Sequence, residues 1–188
     1  MSETAIKIDD IQKALIKADG NLKIGVVVPQ DETGRVINEK RTIDRGVLPH
    51  SDLKKAFKAL LPHALNLLRL VPKGSVYDEK YLKKRDVFKD TDIRDFECVG
   101  FELKGTDEEP EISLIVRKQC YGDKHVDIKT PSIKTHGQKS SYPFAALLVD
   151  AKDISVEEVH EYIYGKYYDS DQVTIDHENE ESEEEEAF

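Results

Sequence analysis

The sequence predicts an α+β fold, an antiparallel sheet with helices packed on it, and three patterns carry that expectation. Residues 52–70 repeat apolar side chains at helical spacing. Between Arg94 and Thr130 the apolar period falls to about two, in three short runs separated by turn residues. Residues 22–28 and 35–43 are extended-looking runs that flank Pro29 and the turn-rich Asp31-Glu-Thr-Gly34, the pattern of a β-hairpin. Together they predict about five or six strands, as an open meander or curled into a barrel, with two or three helices.

Taken in order, residues 5–18 place Ile8, Ile11, Leu15 and Ala18 at spacings of three and four, which predicts a short amphipathic helix stopped by Gly20. After the hairpin, Ser51 is suited to cap the helix over 52–70, with Asp52 at the positive end of its dipole. Leu53, Phe57, Leu60, Ala64, Leu67 and Val71 form one stripe, widened by Leu61, Leu65 and Leu68. A face this broad must be buried, most simply on a sheet. Pro62 inside the pattern predicts a kink or a split. Residues 73–94 are polar and crowded with charge. In the run that follows, Phe96, Cys98, Phe101 and Leu103 alternate around Gly100, which suggests a bulge or bend in a strand. Turns at 105–110 and 121–123 then separate the Ile112, Leu114, Val116 run from Val126 and Ile128. Residues 142–149 read equally as a last strand or a helix start. Ser155, three residues before Glu158, has the form of a capping box for a helix to about Tyr167.

The chain has 188 residues, 28 basic and 38 acidic, net −10. Ten of those acids lie beyond Tyr168, with no Lys or Arg among them, which leaves 28 acids against 28 bases in residues 1–168. The expected organisation is therefore one neutral globular domain over 1–168 and an unstructured acidic tail over 169–188. No apolar run is long enough to span a bilayer. The start of the chain lacks a secretion-signal pattern, and the two cysteines cannot build a disulfide framework. A cytoplasmic protein is the expectation.

Catalytic signatures are missing: there is no Walker A loop, no G-x-G-x-x-G, no G-x-S-x-G and no H-E-x-x-H. The six histidines are scattered, and Cys98 and Cys120, 22 residues apart in neighbouring strands, read as core residues. The chain is expected to be no enzyme and to need neither cofactor nor metal.

Two features point to binding. Residues 117–139 hold Arg117, Lys118, Lys124, Lys129, Lys134 and Lys139 against Asp123 and Asp127, with Tyr121, His125, His136 and nearby Tyr142 interleaved. Cations that follow phosphates and rings on which bases stack are what single-stranded nucleic acid requires. An ordinary hairpin with solvent-facing lysines fits the same residues. A weaker basic cluster, Lys80, Tyr81, Lys83, Lys84, Arg85 and Phe88, is offset by Asp78, Glu79, Asp86 and Asp90. The second feature is the sequence from Glu178 to Phe188, with seven glutamates in eleven residues and an aromatic tip. Phe188 can enter an apolar pocket while Glu183, Glu184, Glu185 and Glu186 meet a basic rim.

This acidic, phenylalanine-tipped terminus resembles that of phage-type single-stranded DNA-binding proteins. The resemblance covers residues 178–188. It implies an OB-fold body, a role in phage DNA replication or recombination, and recruitment of replication or recombination proteins through the tail. A tethered polyanion would also compete for the cationic residues of its own body until single-stranded DNA displaces it. The alternative is an interaction or inhibitor module that uses the acidic tail as a nucleic-acid mimic. A homodimer through an edge strand or the Tyr162, Tyr164, Tyr167 and Tyr168 group is left open.

Overall fold

A computed structural model describes residues 5–32, 35–70, 95–105, 109–135 and 140–167, and within them seven antiparallel strands and two α-helices. The strands are β1 (Ile11–Ile16), β2 (Leu22–Glu32), β3 (Arg35–Asp44), β4 (Phe96–Gly105), β5 (Pro110–Gln119), β6 (His125–Lys129) and β7 (Ile133–Lys134). Helix α1 (Ser51–Leu68) lies between β3 and β4 in sequence, and α2 (Ala145–Ile163) follows β7. The sheet order is β3-β2-β1-β4-β5-β6, with β7 also on β5. Two meanders, β1–β3 and β4–β6, thus meet edge to edge at β1 and β4. The sheet is open, and closure into a barrel is not seen among the described residues.

The hairpin at 22–43 and the meander at 96–129 form as the alternation predicts, with β2 and β3 continuing to Glu32 and from Arg35. Residues 11–16 differ from expectation: they form a strand, not a helix. Ile11 pairs with Val26 and Lys13 with Gly25, so an extra residue bulges from β1 there. The bulge sets the buried Ile11 and Ala14 three residues apart, imitating a helical face, after which Ile16 resumes the alternation. Strand geometry wins because β2 and β4 satisfy the backbone of β1 on both sides. Gly20, at φ 83°, closes the β1–β2 turn instead of ending a helix.

Helix α1 starts at Ser51, and His50 rather than Ser51 caps it: Nδ1 accepts the Asp52 N–H at 3.3 Å. Arg69, in the left-handed region at φ 54°, ends it. Pro62 does not split the helix. It withholds its N–H only from the carbonyl of Lys58, which sits at an exposed position where water can substitute. At the C-terminal end, 142–149 and Ser155 belong to one helix start and one helix interior. Ser155 is buried, and its Oγ donates to the Ala151 carbonyl at 2.9 Å within α2. The sequence there offers two plausible starts, and the buried Leu148 favours the earlier one.

Both helices pack on one face of the sheet. Phe57 of α1 meets Phe101 of β4 edge to face, with centroids 5.8 Å apart, among Ala14, Ile24, Ile112 and Leu114. Cys98 is buried in this layer, where loss of solvation pushes its thiol up to about 12. Cys120 is exposed, which corrects its placement in the core: it lies past the end of β5, in the turn to β6. Tyr162 is buried in α2, donates to the Val47 carbonyl at 2.7 Å and meets the Tyr167 ring edge to face. The last twenty residues and the 73–94 cluster lie outside the described residues.

At the β1–β4 contact, Leu15 pairs with Gly100, where β4 carries the expected bulge between Cys98 and Gly100. A Cβ on Gly100 would stand 2.1 Å from the Ala14 carbonyl oxygen and 3.0 Å from the Leu15 Cα. Both obstacles are backbone, so the strands would have to part. Gly100→Ala should cost about 3 kcal/mol in urea unfolding, at the upper end for overpacking.

His63 is 1% exposed, and its Nδ1 lies 2.9 Å from the Tyr142 hydroxyl, which also receives Asn66 Nδ2 at 3.4 Å. Burial lowers the imidazole to about 4, against 6.5 when free, and raises the Tyr142 hydroxyl to about 12. Between those two histidine values the unfolded chain binds the proton and the folded one does not. Stability should therefore fall as pH drops from 6.5 toward 4, by about 2–3 kcal/mol from this group. Melting curves of the wild type and His63→Leu should converge across that window, since the variant lacks the titration.

Candidate nucleic-acid interface

The β5–β6 hairpin carries most of the sequence-predicted contact residues. Gln119 pairs with His125, and the intervening turn is closed by the Cys120 N–H donating to the Lys124 carbonyl at 2.7 Å. Gly122 and Asp123 turn the chain with φ of 62° and 34°. Pointing from this turn, Tyr121 is 101% exposed. Lys124 and His125 beside it are exposed, as is Lys118, whose Nζ stands 5.4 Å from the Phe96 ring centroid. Val126, paired with Lys118, is 53% exposed. The tip thus offers a bare aromatic ring, an imidazole and two ammonium groups that hold no ion pair among the described residues.

The other predicted cations are differently placed. Arg117 forms a two-bond fork with Asp127, at 2.8 and 3.0 Å, and also donates to the carbonyls of Ile16 at 3.1 Å and Lys17 at 3.3 Å. It ties β5 and β6 to the far end of β1. Lys129 is paired with Glu102, which Lys104 also approaches at 3.3 Å. The Lys129 ammonium holds the Glu102 carboxyl below its usual range, outweighing partial burial. Lys134 meets Glu109 at 2.8 Å, and that hydrogen bond raises its pKa. The continuous basic track expected over 117–139 is therefore divided: Lys118, Tyr121, Lys124 and His125 share the hairpin tip, while Arg117, Lys129 and Lys134 sit among acids. Lys139, Glu183, Glu184, Glu185, Glu186 and Phe188 lie outside the described residues.

Three cations escaped the sequence reading. Lys13, Lys23 and Lys40 are exposed on the side of β1, β2 and β3 away from the helices. For Lys13 the signal was the alternation within residues 11–16, which the bulge concealed, while Lys23 and Lys40 lie at outward positions of the predicted hairpin. Among the described residues, no three metal-ligating side chains cluster and no helix is long and apolar enough to cross a membrane.

No family model matches the chain, and neither a curated protein nor a solved structure shows significant similarity to it.

Because Arg117 supplies a planar fork to Asp127 and further N–H groups to two carbonyls, a lysine cannot replace it. Arg117→Lys should lower stability by about 1–2 kcal/mol in chemical denaturation, the range for losing charge-assisted hydrogen bonds.

Proposed function

We propose that the protein binds single-stranded DNA without catalysis, as a cytoplasmic accessory factor of phage DNA replication or recombination, and that its acidic 178–188 segment regulates this binding and recruits partner proteins. The observation that carries the reading is Tyr121: a fully exposed ring on a tight turn, between Lys118 and Lys124, which hold no ion pair among the described residues, and near His125. A ring held there contributes nothing to the core. It is available for a base to stack on, while the ammonium groups take neighbouring phosphates. The reading does not require an OB-like barrel, because the platform is built by one hairpin.

One observation favours a second reading. Ion pairing of Arg117, Lys129 and Lys134 reduces the positive charge offered by the body. An interaction module acting through the acidic segment as a nucleic-acid mimic needs no such charge. Fluorescence anisotropy with a labelled oligothymidylate separates the two. Under the first reading Tyr121→Ala weakens binding severalfold, consistent with the roughly 1–3 kcal/mol that one stacked base contributes. Deleting residues 178–188 tightens binding at low salt, by removing an internal competitor, and the gain fades as salt screens it. A wild-type protein that leaves the oligonucleotide unbound at low salt would remove the first reading.

A further inference from the structure

We infer that the face of β1–β3 turned away from α1 and α2 is a second contact surface for single-stranded DNA, on which Lys13, Lys23 and Lys40 receive phosphates from a strand running obliquely across the sheet to the Tyr121 hairpin. This rests on the DNA-binding reading and adds a path to it.

Residues paired across a ladder share a face, and successive residues alternate. Ala14, Ile24, Phe101 and Leu114 face the helices, so their neighbours face away. One outward row reads Thr42, Gly25, Lys13, Glu102, Ser113 across five strands. The next reads Asp44, Lys23, Leu15, Gly100, Ile115, Lys129 across six. Beyond the first row, Val27 pairs with Lys40. The floor of this face, on the side away from α1 and α2, is low and apolar. Gly25 and Gly100 have no side chain, and Leu15, Val27 and Ile115 are at least half buried.

Charge decides the ligand. On the described β1–β3 part of this face the acid is Asp44, and Lys17 already holds it at 3.1 Å. Farther along, Glu102 holds Lys129 and Lys104, and Asp127 holds Arg117. Lys13, Lys23 and Lys40 have no such partner among the described residues. Three uncompensated ammonium groups above an apolar floor fit a flexible polyanion with apolar faces, and a single strand supplies both. The outward side chain of His125, paired with Gln119, continues the face to the hairpin. Five inter-strand steps of about 4.8 Å make the sheet some 24 Å wide, room for several nucleotides.

The test is a salt titration of affinity for an oligothymidylate of about 20 nucleotides, longer than the ~4–16 that one small binding fold covers. Each lost phosphate contact reduces the slope of log affinity against log salt by about 0.7 for a single strand. The triple variant Lys13→Gln, Lys23→Gln, Lys40→Gln should lose about two units of slope and bind at least tenfold more weakly at low salt. A matched triple variant on the exposed side of α1, Lys54→Gln, Lys55→Gln, Lys58→Gln, should keep the wild-type slope. Tyr121→Ala should lose affinity with its slope unchanged. If the first triple variant fails to fold by circular dichroism, the three single variants should each lose about 0.7 of slope. Wild-type slope and affinity in the β-face variants, or an equal loss in the α1 variants, overturns this path while leaving the hairpin reading intact. No binding by the wild type removes both.

Discussion

The contact between β1 and β4 is the constraint on which the rest of the structure depends. Only Lys13, Ala14 and Leu15 pair with Glu102, Phe101 and Gly100, yet those pairs turn two separate meanders into one sheet. Each meander alone is near the smallest sheet that can stand independently, with one apolar face left to cover. Joined, they present Ile24, Ala14, Phe101 and Leu114 as a continuous surface wide enough for both helices. Gly100 permits the junction because nothing larger fits beside the Ala14 carbonyl. Arg117 reinforces it from the other face, reaching past β4 to the carbonyls of Ile16 and Lys17.

That junction also arranges the charge. Once β4, β5 and β6 are in register, Arg117 meets Asp127 on the adjacent strand, Lys129 of β6 reaches across β5 to Glu102 of β4, and Lys104 meets the same Glu102 from within β4, since opposite charges on one sheet face attract at close range. These pairs are partly exposed, so they contribute more to register and specificity than to stability. The β1–β3 half is built otherwise: its outward lysines face glycine, leucine or valine across the ladder, apart from Lys13 toward Glu102 and Lys23 toward Asp44, whose carboxylates are engaged elsewhere. The same sheet therefore carries a neutralised half and a basic half. Sequence-level charge counting, which sees a neutral body, averages over that division.

What the sequence revealed follows from how local each determinant is. The 22–43 hairpin, the 96–129 meander and α1 are specified by nearby residues, through alternation, turn chemistry and a broad apolar stripe, and these could be read directly. The bulge at Gly100 could be read too, because a glycine inside an alternating run has few other uses. Residues 11–16 could not, because their bulged strand exists only with β2 and β4 alongside, and it sets Ile11 and Leu15, which share a helical stripe, on opposite faces of the sheet. Ser155 misled for a related reason: a hydroxyl that caps one helix serves equally well inside another, bonded to the carbonyl four residues back. Of the candidate site, the hairpin tip was legible because Lys118, Tyr121, Lys124 and His125 lie within one short stretch of sequence. The pairing of Lys129 with Glu102 was not, since 27 residues separate the partners in sequence.

A tight turn is also a suitable carrier for an interaction group. The backbone at Gly122 and Asp123 is fixed in the left-handed region, and the Cys120 to Lys124 hydrogen bond closes the loop. Tyr121 therefore needs to order little beyond its own two torsions when it meets a flat partner. Its exposure would be a liability in a longer or more apolar loop, where several such rings would drive association. Here one ring is flanked by Lys118 and Lys124, whose charges oppose self-association and attract polyanions. In the proposed mode of binding, the hairpin is the stacking surface and the lysine-bearing half of the sheet gives reach. A flexible chain would then depend on both, because each isolated contact is weak and the chain linking them makes the second contact intramolecular.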